Sequence, residues 1–323
     1  NKQQKKIIKR YIFPYKFISE QEQILSRQQK ATNRILSELE LKIKDIGSDI
    51  GTTKSSIKLS NNKNLNKYYL NSGFYYGIYN MTPGSGFIDF YDDNIFILSS
   101  RGILAFTKSL DDEEVKFKQI KNNINDFIDL KQFEKKRWFS LKDILIYKNQ
   151  VFISFTEEIE KDCWNTSIVY GNINFENIQF KKLFSFEKCV HSKNNIDKEF
   201  NAHQSGGKVI DFDDNHILLS IGDYRSRHLT QNKESVNGKI IKININNDNY
   251  EIISMGHRNA QGLYFDKENN FILETEHGPM GGDEINLIEV EKFKQLEIQN
   301  YGWPVASYGE HYGGKSQKNK IKY

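Results

Sequence analysis

The sequence predicts an all-β fold of the β-propeller type, preceded by an α-helical extension. A unit of strand, polar turn and strand occurs four times, at residues 86–99, 143–154, 207–220 and 262–275. The second strands end at intervals of about 55, 66 and 55 residues, a period typical of propeller blades. Of the 323 residues 13% are aromatic, and 21 Gly stand against 4 Pro, which suits short strands joined by Gly, Asn and Asp turns. A β-sandwich with similar hairpins is the alternative.

The stretch before the hairpins is expected to form a basic tail and one helix. Five basic residues lie within residues 1–13, a pattern typical of a solvated terminus or of a tail that flanks a membrane. Apolar residues at helical spacing predict a helix over residues 19–46. Ser19 with Glu22 would cap its start and Gly47 would end it.

A linker is predicted after this helix. Residues 51–67 are rich in Ser, Asn and Lys and poor in apolar side chains. The chain is therefore expected to divide into an N-terminal tail, helix and linker over residues 1–67 and a propeller domain over residues 68–323.

Composition excludes several classes of function. The chain carries 46 basic and 42 acidic residues, a balance too even to predict nucleic-acid binding. No apolar run reaches the roughly 18 residues of a membrane-spanning helix, although the basic start would suit an anchor upstream of residue 1. The two cysteines, Cys163 and Cys189, fit no zinc-binding spacing, and either a disulfide or two buried thiols is consistent with them.

Three polar clusters accompany the hairpins, where loops would meet at one end of a propeller channel. In the first, His203 precedes Gly206 and Gly207, and a histidine held by a tight turn can act as a general base near neutral pH. A single histidine is nevertheless more often structural.

The second and third clusters offer donors and oxygen ligands. Arg258 beside Asn259 could bind a carboxylate or a carbonyl oxygen that gains negative charge, and a loop salt bridge is the alternative. Residues 274–288 combine Glu and Asp with Gly, which suits calcium, although the spacing is not that of an EF-hand. A solvated turn is the alternative for this cluster.

Taken together, five motifs are specific. They occur in order at residues 203–207 (HQSGG), 220–223 (SIGD), 256–263 (GHRNAQGL), 276–288 (EHGP followed by GDEINLI) and 300–304 (NYGWP). They closely resemble the glucose/sorbosone dehydrogenase family, which includes soluble aldose sugar dehydrogenases that depend on pyrroloquinoline quinone (PQQ). The matching motifs cover about a third of the chain.

The resemblance implies a six-bladed propeller with PQQ and Ca²⁺ at one end of the channel, of which this chain would lack the last blade or so. The implied reaction oxidises an aldose sugar at C1 to the lactone by hydride transfer to PQQ, and an unidentified acceptor then takes the electrons. A periplasmic or otherwise extracytoplasmic location is implied, and membrane association through an anchor upstream of the basic start is compatible with it. That location would favour a bridge between Cys163 and Cys189.

The resemblance also implies roles for single residues. His203 matches the general base, and Arg258 and Asn259 match residues that contact the cofactor, with Gln204 in the same pocket. The matched calcium ligands are the backbone carbonyls of Gly278 and Pro279 at one site, and Glu284 with the Tyr301 carbonyl at another.

The sequence departs from the family pattern at two places. Ala202 stands where some members have Asp, and residues 289–299 are longer than the usual turn. Further basic contacts to PQQ would lie in later blades.

Two other functions are alternatives to the dehydrogenase. One is a propeller that binds without catalysis, and the other is a calcium-dependent propeller hydrolase.

Overall fold

A computed structural model of the chain describes residues 14–70, 86–110, 114–135, 138–295 and 298–310. These residues form mostly β-sheet, with three α-helices: α1 (Pro14–Ile46), α2 (Leu130–Lys135) and α3 (Val290–Lys294). Two short 3₁₀ turns lie at Ile124–Asp126 and Arg227–Leu229. The predicted basic tail at residues 1–13 lies outside the described residues.

Four sheets follow one another along the chain. The first has the order β2-β1-β6-β5-β4-β3 and consists of β1 (Ile50–Lys58), β2 (Asn64–Leu70), β3 (Gly86–Tyr91), β4 (Asn94–Ser99), β5 (Leu104–Thr107) and β6 (Lys116–Asn122), with β10 (Asn177–Ile178) parallel to β6. The second has the order β7-β8-β9-β11 and consists of β7 (Leu141–Tyr147), β8 (Gln150–Glu160), β9 (Cys163–Asn172) and β11 (Lys181–Phe184), with β12 (Val190–His191) beside β9. The third has the order β13-β14-β15-β16-β20 and consists of β13 (Gly206–Asp213), β14 (His216–Ile221), β15 (Lys239–Asn244), β16 (Tyr250–Met255) and β20 (Gln299–Asn300). The fourth has the order β17-β18-β19 and consists of β17 (Ala260–Asp266), β18 (Phe271–Glu276) and β19 (Glu284–Glu289).

Consecutive sheets pack face to face, with a hydrophobic core at each junction. Phe96 of the first sheet and Ile153 of the second lie in one core, Phe152 and Leu219 in the next, and Leu218 and Ile272 in the third. This layered series of antiparallel sheets is the packing that alternating apolar strands require in order to bury both faces.

The strands β3, β7, β13 and β17 lie side by side, so that each sheet meets the next through the strand at one of its edges. An aspartate marks three of these junctions. Asp89 accepts a hydrogen bond from the Ile146 backbone N–H at 2.5 Å, and Asp143 accepts one from Val209 at 3.0 Å. Asp211 accepts a hydrogen bond from Lys267 at 2.8 Å. The hairpins that repeat in the sequence are therefore joined by a repeated contact, in which an aspartate of one sheet accepts a hydrogen bond from the next sheet.

All four predicted hairpins are confirmed, since β3 pairs with β4, β7 with β8, β13 with β14 and β17 with β18. The helical extension is also confirmed, but α1 begins at Pro14, so Ser19 lies inside the helix and does not cap it. Gly47, with φ +67°, ends the helix, and its N–H donates to the carbonyls of Ile43 and Lys44.

The predicted linker is wrong. Residues 51–67 contribute to the hairpin of β1 and β2, and β1 pairs with β6 of the first sheet. Most side chains of this hairpin are exposed, so backbone pairing holds it at the sheet edge without an apolar face that the sequence could reveal. The division of the chain at residues 67 and 68 stays a prediction.

The two cysteines form a disulfide. Cys163 at the start of β9 is bonded to Cys189, with 5.4 Å between their Cα atoms, so of the two alternatives the bridge is the one observed. None of the helices in the described ranges is both long and apolar enough to cross a membrane.

Candidate functional site

Loops at one end of the sheets enclose a cavity of about 270 Å³. Its lining residues are Asn201, His203, Gln204, Arg225, Arg258, Asn259, His277 and Gly278. Five of the eight residues predicted from the sequence therefore meet here. Pro279, Glu284 and Tyr301 are not among the lining residues.

Glycines allow the loop that carries His203 to approach the neighbouring strands. A Cβ on Gly207, which has φ +107°, would lie 2.4 Å from the Cβ of Lys142. A Cβ on Gly222 would lie 2.3 Å from the Gln204 carbonyl oxygen. Any larger residue at either position would push the loop away from the sheets.

His203 stands at the boundary of two cavities. Its ring stacks on Trp138, with 4.2 Å between the ring centres and an interplanar angle of 11°. Besides the first cavity it borders a second one of about 410 Å³, whose wall includes Lys142, Lys208 and Gln261. The imidazole is therefore held in a fixed plane beside open space on two sides.

Gln204 links the charged residues of the cavity wall. In the orientation that satisfies its neighbours, its amide nitrogen donates to Asp223 at 2.9 Å, and its oxygen accepts from Arg225 at 3.3 Å and from Arg258 at 2.8 Å. The indole N–H of Trp303 donates to the other oxygen of Asp223 at 2.9 Å. Burial raises the pKa of Asp223 to about 6, although the charge of Arg258 opposes this.

Arg258 and Asn259 are fixed from behind by a buried carboxylate. Glu276 accepts hydrogen bonds from the backbone N–H groups of Arg258 at 2.5 Å and Asn259 at 3.2 Å. The Arg258 guanidinium donates to the His277 carbonyl at 2.6 Å, and the Asn259 side-chain oxygen accepts from the Gly206 N–H at 3.1 Å. The cavity thus has donors that are oriented in advance.

The residues predicted to bind calcium lie in two places. The Gly278 N–H donates to Asp283 at 3.0 Å, and the Pro279 carbonyl accepts from Gly282 at 2.8 Å within the same tight turn. Glu284 and Tyr301 instead border a buried group at the fourth sheet, where the Tyr301 ring stacks on His257 with 5.0 Å between ring centres. Asn286 lies 3.4 Å from Glu284 in that region.

Sequence reasoning missed three residues of this site. Asp223 lies in the motif of residues 220–223, and its position two residues after the end of β14 is the signal that could have identified it. Arg225 follows two residues later. Trp138 precedes His203 by more than 60 residues, so no local spacing could have paired them.

Comparisons with known proteins give the same family. The sequence profile described as glucose/sorbosone dehydrogenase matches residues 141–322. Aldose sugar dehydrogenase YliI of Escherichia coli K12 is 26% identical over 178 residues, which are 51% of this chain and 44% of that protein. Quinoprotein glucose dehydrogenase B of Acinetobacter calcoaceticus is 34% identical over 142 residues, 34% of this chain and 28% of that protein. The chain thus spans less than half the length of these two relatives.

Solved structures of sugar dehydrogenases share the fold of this chain. A glucose dehydrogenase crystal structure superposes with a TM-score of 0.53 at 23% identity, over 72% of this chain and 66% of that one. The apo-form of the soluble aldose sugar dehydrogenase from Escherichia coli gives a TM-score of 0.54 at 19% identity, with the same coverage of 72% and 66%.

Proposed function

Because the chain belongs to the glucose/sorbosone dehydrogenase family, we propose that it oxidises an aldose sugar at C1 to the lactone, with PQQ as the hydride acceptor. The observation that carries the proposal is that His203, Arg258 and Asn259 border one cavity. The name of the Acinetobacter relative, a quinoprotein glucose dehydrogenase, supports PQQ as the cofactor.

The cavity wall fits an acidic quinone. PQQ carries carboxylates and carbonyl oxygens, and Arg225, Arg258 and Asn259 offer it two guanidinium groups and one amide. The backbone carbonyls of Gly278 and Pro279 would hold Ca²⁺ beside it, and Glu284 with the Tyr301 carbonyl would form the second calcium site. When bound, PQQ would supply the quinone that takes up the hydride.

His203 is the proposed general base. A neutral imidazole can remove the proton of the anomeric hydroxyl near neutral pH. The stack on Trp138 holds the ring plane, and the second cavity beside it leaves space for a sugar.

Arg258 has a complementary role. Its guanidinium is oriented by the His277 carbonyl and by Gln204. A fixed positive charge at this place would stabilise negative charge that develops on a neighbouring oxygen, as the donors of an oxyanion hole do.

The proposal extends to the whole protein. The four described sheets would be four blades of a six-bladed ring. The disulfide between Cys163 and Cys189 supports a periplasmic or other extracytoplasmic location, since such bonds persist in oxidising compartments. An anchor upstream of the basic tail would associate the protein with a membrane.

The test is reconstitution of the protein extended to its natural C-terminus. Calcium and PQQ are added to purified apo-protein, and dye reduction is followed with a panel of aldoses. We expect sugar-dependent reduction that requires PQQ and falls about 10²–10⁴-fold in His203→Ala. His191→Ala, which changes an exposed histidine of the second sheet, serves as the matched control and should keep full activity.

Two results would reject the proposal. If micromolar PQQ does not bind, the protein is a propeller that binds without redox chemistry. If PQQ binds but His203→Ala is as active as His191→Ala, the base lies elsewhere.

A further inference from the structure

Behind the cavity lies a buried group of three side chains that the proposed reaction does not use. His257 follows β16, and Glu274 and Glu276 lie on β18; their potential ligand atoms are all within 4.8 Å of one another. We propose that His257, Glu274 and Glu276 bind a divalent first-row transition-metal ion, with Zn²⁺ as the representative. This site has different ligands from those proposed above for calcium.

The distances fit such an ion. The Nδ1 atom of His257 is 3.4 Å from Oε1 of Glu276 and 3.6 Å from Oε2 of Glu274. A tetrahedral zinc ion with bonds of about 2.0–2.1 Å separates its ligand atoms by about 3.3 Å. Only small shifts would therefore be needed to close the three side chains on one ion.

Two buried polar atoms of this group have no hydrogen-bond partner. Nδ1 of His257 and Oε1 of Glu274 are buried and have no hydrogen-bond partner, and the His257 side chain is fully buried. The other ring nitrogen of His257, Nε2, lies 2.8 Å from the Ser254 hydroxyl. Such a bond on the far nitrogen orients a metal-binding imidazole and leaves the near nitrogen free to coordinate.

The local charge also calls for a cation. The Asn286 amide nitrogen donates to both Glu274 at 2.9 Å and Glu276 at 3.2 Å. Oε1 of Glu274 is still without a hydrogen-bond partner, and two buried carboxylates face one imidazole. Buried carboxylates without enough compensation are costly.

The donor atoms select the class of ion. Calcium prefers oxygen ligands only, whereas an imidazole nitrogen with carboxylates suits zinc and its first-row neighbours. A proton on His257 is the competing occupant, because two buried carboxylates face the Nδ1 atom of its ring.

An ion at this place would act on the cavity through Glu276. One oxygen of that carboxylate faces His257, and the other accepts the backbone N–H groups of Arg258 and Asn259. The inferred role is therefore structural: the ion would fix the loop that presents both residues to the cavity.

The experiment is metal binding without PQQ or sugar, so that its outcome is independent of the proposed dehydrogenase reaction. Protein stripped with a chelator is titrated with Zn²⁺ in calorimetry in the presence of excess Ca²⁺, and Co²⁺ is added to a second sample to record its visible spectrum. We expect one equivalent of Zn²⁺ to bind and the Co²⁺ sample to show the intense bands of four-coordination. His257→Gln and Glu274→Gln should each weaken Zn²⁺ binding at least tenfold, whereas His216→Gln, a change in a histidine paired with Asp213 at the end of β13, should not.

The Co²⁺ spectrum of the unmodified protein decides the matter if a variant does not fold. Absence of stoichiometric Zn²⁺ binding, displacement of Zn²⁺ by Ca²⁺, or a six-coordinate Co²⁺ spectrum would overturn the proposal. So would equal Zn²⁺ affinity in His257→Gln and His216→Gln. A doubly protonated His257 in nitrogen NMR of the Zn²⁺-treated protein would assign the group to a proton instead.

Discussion

Among single residues, Asp223 shows how the cavity wall is held together and how pH should act on it. Its carboxylate is fully buried and is contacted by Gln204 and Trp303. Burial raises its pKa from 3.8 to about 6. The folded protein therefore holds this proton more tightly than the unfolded chain does, so the contribution of Asp223 to stability is fully present below about pH 4 and is lost as pH rises through about 6.

This predicts a pH-dependent difference between the protein and Asp223→Asn. The asparagine cannot ionise. The free energy of unfolding of the variant, relative to that of the unmodified protein, should therefore rise by up to about 3 kcal/mol between pH 4 and pH 7. Urea unfolding of both proteins at several pH values measures this difference. Groups that titrate alike in both proteins do not contribute to it. A difference that is constant with pH would show that Asp223 ionises normally.

At this scale the sequence predicted the residues that border the cavity better than those that support them. His203, Gln204, Arg258 and Asn259 were identified through motifs, and the structure places all four at one cavity. The stack of Trp138 on His203 was not predictable, because it joins distant parts of the chain through packing between sheets. Motifs record local chemistry, whereas such contacts depend on the register of whole sheets.

Among the elements, α1 depends on a buried charge for its docking. Arg101, which follows β4, donates to the Ser37 hydroxyl of α1 at 3.1 Å and to the Phe139 carbonyl at 2.7 Å. Glu40 of α1 is buried in the same region, and burial raises its pKa to about 7, against the attraction of Arg101. The helix therefore brings a carboxyl group into the protein that needs the guanidinium nearby.

Above the Glu40 pKa of about 7, Arg101→Met should destabilise the protein by about 3–5 kcal/mol, because it leaves the ionised Glu40 buried without its countercharge. Combination with Glu40→Gln should recover part of the loss, since the two changes act on one interaction. Urea unfolding of the single and double variants measures both effects. Arg34→Met, on the exposed side of α1, is the control and should change little; strictly additive losses for Arg101 and Glu40 would contradict the coupling.

The elements also show where sequence patterns fail. Hairpins with apolar strands were predicted at all four positions, because their side chains form the cores between sheets. The hairpin of β1 and β2 has the composition of a linker, because its Ser, Lys and Asn side chains are mostly exposed. An edge hairpin is specified by backbone hydrogen bonds, and those leave little trace in composition.

At the scale of the whole molecule, the four sheets formed by the described residues leave an apolar face at each end of their series. On the first sheet, Ile88 and Phe90 of β3 are 59% and 60% exposed. On the fourth sheet, Tyr264, Ile285 and Leu287 are 63%, 76% and 49% exposed. Between the two ends, a hydrophobic core lies at each junction of neighbouring sheets. Sheet faces of the kind that are buried at these junctions are therefore exposed at the two ends. Exposed apolar patches of this kind favour association.

The 323-residue chain should therefore self-associate through these faces, and polar substitutions on the fourth sheet should reduce this. Leu287 lies opposite Leu273 on β18, which lies opposite Tyr264, so these side chains form a continuous stripe across the three strands. Ile285→Ser combined with Leu287→Ser should raise the monomer fraction in sedimentation velocity over a range of concentrations. The free energy of unfolding should change by no more than about 0.5 kcal/mol, because the exposed side chains have little burial to lose.

Ile57→Ser, which removes an exposed apolar side chain of β1, is the control and should leave association unchanged. A marked loss of stability in the double variant would mean that the face is covered within the chain itself, and unchanged association would mean that the two end faces are not adhesive.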